Sequence, residues 1–185
     1  MQFRVAKESL DSDVAKFLIA RLNSALASAN PDPKAHSWSL SSANVAPSLG
    51  AFVVVYAKDT SDAEEVAVGC GAIRKITLDE TDAAALGFSP EEASLAASEQ
   101  TSFVAELKRM FVVDEFRGKR VGSLIVESLK KIAKNECSVS FLLLETADYL
   151  TNAVRLYEKA GFKKIQSYGE YKLKGDLSLC MALAI

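Results

Sequence analysis

A strand that runs through a basic, glycine-bearing turn into an amphipathic helix is the feature that most limits how this chain can fold. Ala105 to Val113 alternates around Leu107, Arg109 and Phe111, the period-2 signature of a strand. Arg117-Gly118-Lys119-Arg120-Val121-Gly122 follows, and then Leu124, Ile125, Leu129, Ile132 and Ala133 recur on one helical face. A helix start leaves backbone N–H groups without partners and carries the positive end of the helix dipole. Glycine lets a ligand approach the backbone closely. Together these features make an anion site of the kind that takes phosphate. From residue 105 to 134 there are eight Lys/Arg against four Asp/Glu, in a chain whose formal charge is −2. That local surplus suits a pyrophosphate-bearing cofactor. The turn lacks the Gly-Lys-Ser/Thr ending of a P-loop, and Gly-x-Gly-x-x-Gly does not occur. The basic stretch is also narrower than a nucleic-acid face needs.

The elements on either side are read from periodicity. Phe3 to Lys7 is a first strand, and Leu10, Val14, Phe17, Leu18, Leu22, Ala25 and Leu26 mark a helix capped by Ser9 or Asp11. Pro31 and Pro33 end that helix near Asn30, and residues 31–50 read as loop with a short helix. Ala51 to Ala57 and Val66 to Arg74 form a hairpin of buried strands. Residues 75–103 form an insert in which Ser89-Pro90-Glu91-Glu92 starts a helix. Val139 to Thr146 is another buried strand, and Ala153 to Ala160 a short helix stopped by Gly161. Phe162 to Gln166 and Leu177 to Leu183 are the closing strands, joined by a Tyr- and Gly-rich loop. The order is β-α-β-β-(insert)-β-α-β-α-β-β.

Length fits one domain spanning 1–185, and 49% apolar residues suffice for a core. No run of about 18 uncharged apolar residues is present, so no membrane span is expected, and a formal charge of −2 gives no reason to expect a membrane or nucleic-acid partner. Lys7, Glu8 and Asp11 interrupt any signal-peptide core. Cys70, Cys137 and Cys180 are odd in number and widely spaced, which suits buried reduced thiols in a cytoplasmic or nuclear protein. His36 alone cannot complete a metal site with them, so no metal is expected.

Residues 110–122 (Met110-Phe111-Val112-Val113-Asp114-Glu115-Phe116-Arg117-Gly118-Lys119-Arg120-Val121-Gly122) resemble motif A of the GNAT-type N-acetyltransferases, Gln/Arg-x-x-Gly-x-Gly/Ala. Ala153-Val154-Arg155-Leu156-Tyr157-Glu158-Lys159-Ala160-Gly161-Phe162 resembles motif B of that family, about 30 residues on. Leu144-Glu145-Thr146 sits at the expected strand end, and Val68-Gly69-Cys70-Gly71-Ala72 matches the strand upstream. Tyr168-Gly169-Glu170-Tyr171 and Leu177-Ser178-Leu179-Cys180-Met181 look like a small-molecule branch of the superfamily. The resemblance covers roughly residues 52 to 183. The sequence departs from the pattern at two places. Arg120 stands where motif A usually has its first glycine, and Leu150 where many relatives place an asparagine. Asn152 is two residues out of register with that asparagine, and reads as a cofactor contact or a helix cap.

The resemblance implies a mixed α/β (α+β) fold, with a mostly antiparallel sheet in which two parallel strands splay apart near Val113 and Thr146. It implies acetyl-CoA as cofactor, held by the backbone of Met110, Phe111 and Val112 and by Arg117, Gly118, Lys119, Arg120, Val121, Gly122 and Ser123. The N–H of Val112 would face the thioester oxygen, and Tyr157 would protonate the leaving thiolate. Glu106 matches the base of the histone-acetylating branch, Glu145 is its rival on the neighbouring strand, and water alone is a third possibility. Strand alternation places Glu106 with Lys108 on one face, and Leu107 with Arg109 on the other. Tyr168, Tyr171, His36 and Trp38 would border a small primary amine such as a metabolite, amino acid or polyamine. A protein or peptide N-terminus, or a lysine, is the alternative acceptor, and a non-catalytic acyl-CoA sensor the alternative role. The chain is expected as a monomer or homodimer, with the insert as lid, dimer contact or surface excursion.

Overall fold

The computed structural model describes residues 1–29, 40–59, 64–98, 100–173 and 178–185. Seven strands form one sheet: β1 (Gln2–Lys7), β2 (Gly50–Lys58), β3 (Val66–Lys75), β4 (Val104–Val112), β5 (Phe141–Ala147), β6 (Lys163–Ile165) and β7 (Ser178–Ala184). Among the described residues five α-helices accompany them: α1 (Asp13–Ala29), α2 (Glu80–Ala85), α3 (Pro90–Ala96), α4 (Val121–Glu136) and α5 (Thr151–Lys159). The strand order is β1-β2-β3-β4-β5-β7-β6, and every neighbouring pair is antiparallel except β4 with β5.

Alternation along the central strands divides the core. Val53, Val55, Ile73, Leu107 and Leu142 pack with Ile125 and Leu129 of α4. Phe52, Val54, Cys70 and Ala72 pack with Ala15, Leu18 and Leu22 of α1. The insert adds a third cluster, in which Ala83 and Ala93 of the two short helices meet Val104, Leu143, Tyr168 and Tyr171. All three cysteines are buried and unbridged.

Four local features differ from the sequence reading. Helix α1 is capped by Ser12, whose Oγ accepts from the Ala15 N–H at 3.2 Å; Ser9 Oγ instead takes the Asp11 N–H. The insert holds two helices rather than one, because Asp79 caps α2 by accepting from the Asp82 N–H before the capping box of Ser89 and Glu92 starts α3. The fifth strand begins at Phe141, since the Val139 N–H is taken by Ala133 O and that of Ser140 by Phe103 O.

The fourth is a bulge. Cys70 pairs with Phe111 and Ala72 with Lys108, so β4 carries one residue more than β3 between these pairs. Arg109 sits there with φ 55°, and Cys70 Sγ donates to its carbonyl at 3.4 Å. The bulge breaks the alternation that would have put Arg109 beside Leu107. Met110 takes the Leu107 face instead, against Gly71, and Arg109 Nη1 donates to Asn23 Oδ1 of α1 at 3.3 Å.

Candidate active site

The parallel pairing of β4 with β5 lasts from Val104↔Phe141 to Leu107↔Leu144 and then stops. β4 stays with β3 as far as Val112, while β5 stays with β7 as far as Ala147, so the two strands part in a wedge. The Val113 N–H donates to Val68 O at 2.9 Å. Successive N–H groups of a strand point to opposite sides, so that of Val112 points into the wedge. Its carbonyl accepts from Arg117 Nε at 3.3 Å.

Beyond the wedge a single 3₁₀ turn, Asp114–Phe116, leads to the start of α4. The first bond of that helix runs from the Leu124 N–H to Arg120 O. Among the described residues, the N–H groups of Gly118, Arg120, Val121, Gly122 and Ser123 have no partner. Gly118 has φ 76° and Arg120 φ 64°. Arg120, which stands where the motif has glycine, therefore keeps the glycine conformation, at a cost of about 1–2 kcal/mol. A Cβ on Gly122 would lie 3.0 Å from Leu156 Cδ2 and 3.8 Å from Val112 Cγ2. Its bare Cα keeps open the space between β4, α4 and α5.

That space is a cleft of ≈ 760 Å³. Met110, Phe111 and Val112 line it from the strand, and Arg117, Gly118 and Arg120 from the turn. Val121, Gly122 and Ser123 line it from α4, and Asn152 and Tyr157 from α5. Lys119 does not line it; its Nζ lies 4.9 Å over the Phe116 ring. Asn152 is not a cap: it lies inside α5, whose N-cap is Leu150 with no side-chain bond. Leu150, at the family's asparagine position, is itself part of the wall, beside Tyr149. The far wall is Leu22, Ala25, Leu26 and Ala29 of α1, which sequence reasoning placed only in a helix. His36 and Trp38 lie outside the described residues.

Tyr157 is buried and meets Phe162 edge-on at 5.9 Å. Burial, with Glu145 nearby, raises its hydroxyl pKa, so it stays protonated at neutral pH. Glu145, like Glu106, does not line the cleft; it is half-buried, and its Oε1 accepts from Ser178 Oγ at 2.9 Å.

Glu106 does not line the cleft. It is 1% exposed and accepts from Arg74 Nε at 2.9 Å, Lys108 Nζ at 3.2 Å, Tyr168 Oη at 3.0 Å and Tyr171 Oη. Burial alone would raise its pKa, but Lys108, Arg74 and Tyr171 outweigh it and hold the carboxyl below the ordinary value. Lys108 Nζ also donates to Tyr171 Oη at 2.7 Å, and burial lowers its pKa. Tyr168 and Tyr171 thus meet Glu106 rather than the cleft. Nothing in the spacing of residues 74, 106, 168 and 171 signals this network, because only the folded sheet brings them together.

The acetyltransferase (GNAT) family profile matches residues 19–162, which includes the wedge, the turn and α5. The chain belongs to the GNAT acetyltransferase family. Among curated proteins, an uncharacterised N-acetyltransferase of Dictyostelium discoideum is 38% identical over 65 residues, covering 35% of this chain and 30% of that protein. An IAA acetyltransferase of Azospirillum brasilense is 38% identical over 66 residues, covering 36% of this chain and 42% of that protein. These matches span less than half of either relative. Among solved structures, a Klebsiella pneumoniae protein described as an acyl-CoA N-acyltransferase superposes with a TM-score of 0.65 at 20% identity, covering 99% of this chain and 97% of the other. A GNAT family acetyltransferase of Elizabethkingia anophelis, solved with acetyl-CoA bound, gives 0.57 at 13% identity, covering 99% and 98%. GNAT enzymes use acetyl-CoA, and the donor set here fits it: unpartnered N–H groups at a helix start suit a diphosphate, and the wedge offers strand backbone to an extended arm.

Proposed function

We propose that this protein transfers the acetyl group of acetyl-CoA to a primary amine of a small molecule, with both substrates bound at once. The observation that carries this reading is the run of unpartnered N–H groups from Gly118 to Ser123 at the mouth of the wedge. When bound, acetyl-CoA supplies an acetyl group activated as a thioester. The N–H groups of Gly118, Arg120, Val121, Gly122 and Ser123 hold the diphosphate, and Arg120 adds charge beside it, with Arg117 sharing its charge with Asp114 at 2.7 Å. Met110 and Phe111 offer backbone to the pantetheine arm. The Val112 N–H donates where negative charge develops on the carbonyl oxygen, a contribution of about 3 kcal/mol for one preset donor.

Tyr157 Oη gives its proton to the departing sulfur; its raised pKa keeps that proton in place at neutral pH until the thiolate forms. Glu145 accepts the proton of the amine through water, worth about 10²–10⁴-fold. Its carboxylate lies close enough to raise the hydroxyls of Tyr157, Tyr149 and Tyr171. Glu106 is the poorer acceptor, since four donors already engage it and its pKa is depressed. It holds Lys108 and the two tyrosines beside the apex of the wedge, on the side we assign to the acceptor.

The test is thiol release from acetyl-CoA with a panel of amino acids, polyamines, simple alkylamines and a peptide with a free N-terminus. Release that depends on a small amine supports the reading. Release with the peptide alone moves the acceptor to proteins. Binding of acetyl-CoA without release for any amine makes the protein a sensor.

A further inference from the structure

We infer that Asp82, on the insert helix α2, is a positioning residue for the acceptor side of the site; this rests on the acetyl-transfer reading. Asp82 is 4% exposed. Its Oδ1 lies 2.7 Å from Lys172 Nζ, and its Oδ2 accepts from the Gly169 N–H at 2.8 Å. A buried carboxylate is costly unless it is paired and hydrogen-bonded. Both partners of Asp82 lie on one short turn, the 3₁₀ helix Gly169–Leu173 between β6 and β7. Asp79 reinforces the contact: it accepts from the Asp82 N–H at 2.7 Å and reaches Lys172 Nζ at 3.4 Å.

That turn and the residue before it carry the two tyrosines that meet Glu106. The Tyr171 N–H donates to Tyr168 O at 3.0 Å, and the two rings stand edge-on at 5.1 Å. Both hydroxyls end on Glu106 Oε1. Glu106 pairs with Leu143 one position before β4 and β5 part. A chain of contacts therefore runs from α2 through the turn to the apex of the wedge. Gly169, at φ 48°, is the joint in it. Glycine moves readily between backbone states, and Asp82 fixes this one by its N–H. The insert thus works as a brace that sets where Tyr168 and Tyr171 hold Glu106 at the apex of the wedge, on the side assigned to the acceptor, and the binding of acetyl-CoA, on the other side of the wedge, does not depend on it.

The experiment compares the wild-type chain with Asp82→Ala and with Asp82→Asn, which keeps an acceptor for the Gly169 N–H and loses the charge. Amide hydrogen exchange is followed over residues 164–173, and KM is measured for acetyl-CoA and for the best amine. Asp82→Ala is expected to speed exchange at 168–173 at least tenfold, with β2 to β4 unchanged. It is expected to raise the amine KM at least fivefold and to leave the acetyl-CoA KM within twofold. Asp82→Asn is expected to fall between. Unchanged exchange at 168–173 in both variants overturns the inference, as does an equal rise of both KM values. Should Asp82→Ala not fold, Asp82→Asn must still show the selective exchange and KM change, and its failure to do so also overturns it. If the wild-type chain turns over no amine, the acetyl-transfer reading fails, and the exchange data still decide whether Asp82 holds the turn.

Discussion

Replacing Glu106 by glutamine removes the charge on which the wedge apex converges. The carboxylate is 1% exposed, and the side chains of Arg74 and Lys108 are 21% and 10% exposed. Breaking a buried pair by neutralising one partner costs about 3–5 kcal/mol, because the other charge stays buried. Arg74 keeps Glu170 at 3.7 Å, which places the loss near the lower end. At roughly 2–4 °C per kcal/mol for a domain of this size, a loss of about 3 kcal/mol lowers Tm by roughly 6–12 °C. The pH dependence is a second signature. A carboxylate whose folded pKa is depressed contributes stability that is present above its unfolded value and lost as pH falls through the folded one. Wild type loses that contribution as pH falls below the ordinary value of 4.5, while Glu106→Gln has none to lose, so the two proteins converge in acid. Lys108, already lowered by burial, falls further from its ordinary 10.5 without its carboxylate, so the variant regains stability as pH rises toward that value. Thermal and urea unfolding of both proteins from pH 3 to 10 reads both effects. A variant within about 1 °C of wild type at pH 7 with a parallel pH profile would refute the depressed, ion-paired carboxylate.

Tyr157→Phe is expected to lower kcat at least tenfold in steady-state assays while acetyl-CoA affinity changes little; an unchanged kcat removes Tyr157 as the acid. Glu145→Gln is expected to cut kcat by about 10²-fold in the same assay; an undiminished kcat assigns the proton to another group. Gly122→Val puts branched methyls into the space between Leu156 and Val112. It is expected to weaken coenzyme A binding at least tenfold in calorimetry while the fold, followed by circular dichroism, survives.

Much of the architecture is legible because it is patterned. An unbroken apolar run at 51–57, then a polar turn and a second strand at 66–74, marks the hairpin, and apolar spacing from Leu124 to Ala133 marks α4. The turn at 117–122 is legible for a different reason, since glycine and clustered charge carry local chemistry. The bulge at Arg109 is not legible. It inserts one residue with no compositional mark, yet it turns Arg109 toward α1 and Met110 toward α4. The α1 wall of the cleft is hidden because helical spacing shows that Leu22 and Leu26 face inward, not that the space before them is open. The Arg74–Glu106–Tyr168–Tyr171 network is hidden because its members come from β3, β4 and the turn before β7, and long-range pairing leaves no trace in local spacing.

Acetyl transfer by this protein requires that amides at the head of α4 grip a diphosphate. Backbone amide resonances recorded while coenzyme A is titrated test it most directly. The largest shifts, saturating at one equivalent, are expected at Gly118 and from Arg120 to Ser123. Saturating coenzyme A that leaves those resonances in place would contradict it.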